Sequence, residues 1–276
     1  MTAWAVRCVS ASGSSNGDMM QAQAAVQILE LDNIRKVFGG VVAVDNLSVR
    51  VDKGSVTSVI GPNGAGKTTL FNMITGFLAP TAGRIACSGK VLNRLRPHDI
   101  AAFGVARTFQ NVRLFPQMSV LENVMVGRHL RSRAGMLVSA FLPPVLRTEE
   151  RRVREDARQW LEFVGLAAHS KATAGSLPLG SQRMLEVARA LALEPHLLLL
   201  DEPAAGLNSR ETIAMGELIE KIRQQQITVV LVEHDMELVM DISDRVLVIN
   251  FGRLIGDGTP EAVQEDADVI AAYLGE

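Results

Sequence analysis

Eight residues narrow the fold of this 276-residue chain more than any others. Gly61-Pro62-Asn63-Gly64-Ala65-Gly66-Lys67-Thr68 fits the pattern Gly-x-x-x-x-Gly-Lys-Ser/Thr. The run before it, Val56-Thr57-Ser58-Val59-Ile60, is β-branched and almost uncharged, as a strand buried on both faces of a parallel sheet must be. The residues after it, Thr68 to Gly76, carry helical spacing. A strand, a glycine turn and a helix in that order let backbone N–H groups curl around phosphate oxygens without Cβ clashes. The helix start adds the positive end of its dipole. Lys67 is then placed to neutralise β/γ-phosphate charge and the Thr68 hydroxyl to ligate Mg²⁺, with Thr69 beside them in the nucleotide-binding set.

Leu197 to Leu200 and Thr228 to Val232 are two more buried runs. The first delivers Asp201 and Glu202 at its C-terminal end, where open α/β sheets hold ligands. Asp201 is placed to hold Mg²⁺ through water and Glu202 to polarise an attacking water. Taken alone the pair fits an exposed acidic turn equally well; the phosphate loop argues otherwise. His234 ends the run Val229 to Glu233. A lone histidine is more often structural, but this one falls at the same edge of the sheet as the phosphates.

Ile28–Leu31, Val41–Val44 and Leu47–Val51 predict strands near the N-terminus. Arg245–Asn250 and Arg253–Asp257 predict a closing hairpin that turns at Phe251-Gly252. Strand signals vanish from about Val112 to Leu191, where the charge-dense Arg147–Arg158 is followed by Trp160, Leu161, Val164 and Leu166 at helical spacing. The expected architecture is α/β: a P-loop NTPase core with a mostly parallel sheet at about 28–111 and 192–276, and a helical subdomain inserted at about 112–191. Residues 1–27, small and polar around Ser10–Gly17, are expected to form a disordered tail.

Composition closes off other classes. The chain has 28 Lys and Arg against 30 Asp and Glu, a net charge of −2, with 47% hydrophobic residues. Wholesale disorder is excluded, and nucleic acid is not an expected partner, since a nucleic-acid-coating protein would be basic. Cys8 and Cys87 have no metal-ligand spacing and suit two reduced thiols in a reducing compartment. The longest uncharged apolar stretch, Ala134–Leu146, contains Pro143 and Pro144 and falls short of the roughly 20 residues a membrane span needs. It either packs inside the helical subdomain or faces a membrane subunit or the inner leaflet.

Three further stretches carry a family resemblance: Val105-Ala106-Arg107-Thr108-Phe109-Gln110-Asn111-Val112-Arg113-Leu114-Phe115, then Ala204-Ala205-Gly206-Leu207-Asn208, and the tail Ala272-Tyr273-Leu274-Gly275-Glu276. With the loop and the acidic pair, they make the chain resemble an ABC transporter ATPase subunit from about Ile28 to its end, and in particular the LivG-like kind that serves branched-chain amino acid transport. The resemblance implies an additional N-terminal antiparallel β subdomain. It implies that Phe38 stacks on adenine and that Gln110 touches Mg²⁺ and the attacking water while joining the core to the helical subdomain. It further implies that Glu202 is the catalytic glutamate, that Asp201 is the metal-site aspartate before it, and that His234 contacts the γ-phosphate of ATP.

The usual signature, Leu-Ser-Gly-Gly-Gln, is replaced by Leu177-Pro178-Leu179-Gly180-Ser181. Proline has no hydroxyl for a partner's nucleotide, so Gly180 and Ser181 are the residues left to meet it, and hydrolysis is expected to survive, more slowly. Asn208 stands where many relatives carry aspartate. The implied partners are a second ATPase subunit, identical or sister, two transmembrane permease subunits and, indirectly, a solute-binding protein. The implied place is the cytoplasmic face of the inner membrane. Import of branched-chain amino acids is the first reading of the cargo. Another cargo (urea, short amides or an exported lipid) and a weakly hydrolysing regulatory module are the alternatives.

Overall fold

The computed structural model describes residues 26–128 and 143–274. The expected tail, up to residue 25, lies outside the described residues, as do Cys8, Ala134–Leu142 of the apolar stretch, and the last two residues.

Two sheets pack around the first core. One is antiparallel, in the order β2-β1-β4-β5, built from β1 (Gln27–Phe38), β2 (Val41–Asp52), β4 (Ala82–Cys87) and β5 (Lys90–Val91). The Val41–Val44 and Leu47–Val51 runs are not separate strands. They form one 12-residue strand, with Asn46 in the left-handed region at φ 50°. Its partner strand breaks register between Leu31 and Ile34, where Asn33 is also left-handed and its N–H donates to Ser48 Oγ at 2.8 Å. A bulge of this kind adds twist without ending the pairing.

The second sheet has the order β10-β9-β3-β8-β7-β6. Its strands are β3 (Val56–Ile60), β6 (Val105–Arg107), β7 (Leu197–Asp201), β8 (Thr228–Val232), β9 (Arg245–Asn250) and β10 (Arg253–Gly258). The pairs from β6 to β9 are parallel, and only β10 is antiparallel. Every residue of β3, β7 and β8 is buried, which explains the continuous apolar runs. The closing hairpin turns at Phe251-Gly252 as expected, with both residues at positive φ. Strands β4, β5 and β6 escaped the sequence reading, being short or carrying glycine and arginine among their apolar residues.

Nine helices are placed among the described residues: α1 (Lys67–Ile74), α2 (Pro97–Phe103), α3 (Val120–Arg128), α4 (Pro143–Phe163), α5 (Leu179–Leu191), α6 (Ser209–Gln224), α7 (Met236–Ile242), α8 (Pro260–Gln264) and α9 (Ala267–Leu274). None is long and apolar enough to cross a membrane. Between Val112 and Leu191 the only described strand pairing is an isolated bridge, Ser119 to Thr173.

The first core fills the space between the two sheets, with Phe71 of α1 at its centre. A second lies on the other face of the parallel sheet, under Met215, Ile219 and Ile222 of α6. A third belongs to α3, α4 and α5, around Val120, Val124, Leu161 and Leu185. Helix α5 serves two cores. Its Val187, Ala190 and Leu191 pack toward the sheet, while Leu185 and Ala188 pack among the helices. The described cysteine, Cys87, is buried and unbridged, and burial pushes its thiol up to about 11.

Candidate functional site: a phosphate loop and a cluster of three polar side chains

The loop Gly61–Gly66 leaves β3 and enters α1 with three glycines at positive φ: Gly61 at 147°, Gly64 at 80° and Gly66 at 106°. Two of them are required sterically. A Cβ at Gly61 would collide with the Ile249 carbonyl oxygen, and one at Gly66 would sit 2.5 Å from that of Ala43. The loop is thus pressed between β9 and β2, and the Ala65 carbonyl accepts from Gly252 N–H at 2.9 Å. Lys67 is buried and folds back over the loop, its ammonium donating to the Gly61 carbonyl at 2.5 Å and the Pro62 carbonyl at 3.0 Å. Thr68 is exposed and Thr69 half-buried on the first turn of α1. Asn63 and Gly64 are exposed, Pro62 is half-buried and Ala65 is buried. A partly exposed glycine-rich loop at a helix start, with a lysine folded over it, is a backbone that a polyphosphate can approach closely.

Strand β7 ends in the buried carboxylate of Asp201. The next residue, Glu202, takes a left-handed conformation at φ 50°, and its N–H donates to the Val232 carbonyl at 2.8 Å. A non-glycine residue held in that region is strained, and such strain concentrates at functional sites. Here it aims the side chain at two others. Glu202 Oε2 accepts from Gln110 Nε2 at 2.8 Å, and Oε1 lies 3.0 Å from His234 Nε2. Three residues drawn from three loops, 92 and 32 positions apart in sequence, therefore meet around one carboxylate.

Two buried charges hold this cluster, and the sequence analysis singled out neither. Glu233 Oε1 accepts from Ala204 N–H at 2.7 Å and Oε2 from His234 N–H at 2.8 Å, joining the turns after β7 and β8. Glu186 of α5 receives the backbone N–H groups of Phe109 and Arg113 at 3.4 and 3.3 Å, bracketing Gln110. Burial pushes its carboxyl above the ordinary value, against the pull of those N–H groups and of Arg189 and Arg183. A charged residue at a helical position that would otherwise bury is the signal that marks such a group.

Phe38 ends β1, paired with Val41, so it stands at the rim near the Ala43–Val44 wall of the loop. Its ring is half-exposed, with the Lys36 ammonium 5.0 Å from its centroid. Gly180 and Ser181 lie elsewhere, on the first turn of α5. That helix begins at Leu179, with Pro178 as its N-cap at φ −58°. Gly180 is buried against the carboxylate of Glu211, which a Cβ would strike. Glu211 is itself half of a capping box with Asn208, whose side chain accepts from Glu211 N–H at 3.1 Å. Asparagine at 208 caps α6 as well as aspartate would.

Fold and site together define a P-loop nucleotide-binding cassette. The ABC transporter family model matches residues 44–205, and the model described as a branched-chain amino acid ATP-binding cassette transporter matches residues 253–276. The chain belongs to the ABC transporter ATP-binding family, in its branched-chain amino acid branch. It is 48% identical over 250 residues to the high-affinity branched-chain amino acid transport ATP-binding protein BraF of Pseudomonas aeruginosa, covering 90% of this chain and 98% of that one. LivG of Escherichia coli K12 is 44% identical over the same coverage. Among solved structures, the ADP conformation of MJ1267, an ATP-binding cassette of an ABC transporter, superposes with a TM-score of 0.80 at 34% identity, covering 91% of this chain and all of that one.

Proposed function

We propose that this chain is the ATP-hydrolysing subunit of a membrane importer of branched-chain amino acids, acting with a second ATPase subunit and two permease subunits at the cytoplasmic face of the membrane. The cargo rests on what the relatives' names say of those proteins, 44–48% identical over nine-tenths of the chain. The hydrolytic role rests on one observation: Glu202 is held between Gln110 and His234, at the ends of parallel strands that neighbour the one carrying the phosphate loop.

In this reading the loop N–H groups and Lys67 bind the phosphates of ATP, and Phe38 stacks on the adenine. Thr68, Asp201 and Gln110 are the oxygen donors suited to Mg²⁺, a hard cation that takes such ligands. When bound, it would offset charge developing on the phosphates. Glu202 orients and polarises the attacking water. Gln110 and His234 fix the Glu202 carboxylate by its two oxygens, and His234 reaches toward the terminal phosphate. Phosphoryl transfer goes directly to water, so catalysis is positioning and charge stabilisation, with no covalent enzyme intermediate.

In the same reading the first turn of α5 serves a second cassette rather than the chain's own loop; Gly180 is packed against Glu211, which leaves the half-buried Ser181 as the side chain for that contact. Pro178 caps α5 without contributing a hydroxyl, so Ser181 and the first backbone N–H groups of that helix carry this contact. The relevant experiment is Glu202→Gln. ATP binding is expected within about twofold of the parent, and turnover at least about tenfold lower, the size of a lost general base. Unchanged turnover would remove Glu202 from its role.

A further inference from the structure

Arg107, the last residue of β6, lies three positions before Gln110, and its side chain is only 5% exposed. Its Nη2 donates to Asp201 Oδ2 at 2.7 Å. Its Nη1 donates to Asn72 Oδ1 at 2.7 Å and Thr75 Oγ1 at 3.2 Å, both on or just after α1. The guanidinium lies against two rings, 5.5 Å from the centroid of Phe71 and 5.1 Å from that of Phe109.

The partners are not a random sample of the core. One is the buried carboxylate at the end of β7, and two belong to the helix that begins in the phosphate loop. Phe109 is the neighbour of Gln110. One planar cation therefore ties the candidate metal-site carboxylate, the C-terminal end of the helix that follows the phosphate loop and the segment that carries Gln110. Lysine, a single point charge, cannot span Asp201 and Asn72 together as the forked guanidinium does.

We propose that Arg107 is the positioning residue for Asp201. By holding Oδ2, it turns Oδ1 toward the place where Thr68, Asp201 and Gln110 would share a divalent cation, and it fixes the point where the chain departs for Gln110. This rests on the reading of the site as an Mg·ATP site. A purely structural ion pair would support the fold equally well but would not set the affinity for the cation.

The two roles separate in a binding measurement on the purified full-length chain, using a fluorescent ATP analogue with Mg²⁺ titrated from zero. For Arg107→Lys, analogue binding without Mg²⁺ is expected within about twofold of the parent, because the loop is intact. The Mg²⁺ concentration that half-saturates the enhancement of binding is expected to rise at least about fivefold. Asn72→Ala removes the second anchor and leaves the Asp201 pair in place. It should shift the same midpoint in the same direction by less, which keeps the test available if the lysine variant does not fold. A midpoint that is unchanged or lower in both variants overturns the proposal. A parent chain that binds no analogue at all overturns the reading of the site instead.

Discussion

At the scale of single residues, the site is an arrangement of charges that would be costly apart. Asp201 is matched by Arg107, Glu202 by Gln110 and His234, and Glu233 by three backbone N–H groups. Glu186 is the one whose balance remains unfavourable, since burial raises its pKa above the ordinary 4.5. An acid with a raised native pKa keeps its proton in the folded state at pH values where the unfolded chain has lost it, so stability falls as pH rises through that window. Glu186→Gln removes the titration. The difference in melting temperature, variant minus parent, should therefore grow as pH rises above about 4.5 and level off once the folded-state carboxyl has ionised. A flat difference across that range would contradict the burial argument. Residues of this class were the hardest to read from sequence. Gly61, Lys67, Asp201 and Glu202 announce themselves by spacing and by the apolar strands before them. Arg107 and Glu233 look like ordinary surface charges until the fold buries them, and Glu186 is betrayed only by the apolar helical neighbours it sits among.

At the scale of elements, legibility followed burial. Strands β3, β7 and β8 are buried on both faces and read as unbroken apolar runs. Strands β4 and β5 sit on the N-terminal sheet beside exposed turns, and β6 has three residues, so neither alternation nor length could mark them. The kink shared by β1 and β2 depends on Asn33 and Asn46 taking left-handed conformations, a choice the neighbouring strand makes for them. The β9–β10 hairpin was legible from its two strands, yet its turn is built from a poor residue. Phe251 is 84% exposed at φ 46°, where a two-residue turn of this hand prefers Asn-Gly. Phe251→Asn should stabilise the chain by about 0.5–1 kcal/mol, the part of the left-handed penalty asparagine escapes. That is a rise of about 1–3 °C in melting temperature for a chain of this size. A lower melting temperature would mean that the ring makes a contact worth more than the strain.

At the scale of the whole molecule, the phosphate loop opens α1 and the Gly180–Ser181 turn opens α5, and the proposed function assigns these two helix starts to different nucleotides. That separation predicts a split between binding and turnover. Ser181→Glu places a negative charge on the first turn of α5, where the helix dipole favours it, so the fold is expected to tolerate the change. Equilibrium ATP binding to the purified variant should stay within about twofold of the parent. ATP turnover in the assembled transporter should fall at least about tenfold, about 1.4 kcal/mol in the barrier. Loss of ATP binding by the isolated variant would show that the turn serves the chain's own loop.

The double allegiance of α5 carries a mechanical corollary. Its residues alternate between two packed neighbourhoods along one short rod, and interiors of this density do not bend gradually. The rod cannot hinge in its middle without tearing one neighbourhood from the other. Any tilt imposed on the helical bundle must therefore travel through α5 as a whole, and the same stroke that drags Glu186 and the backbone around Gln110 also re-aims Ser181 at its far end, with no slack in between.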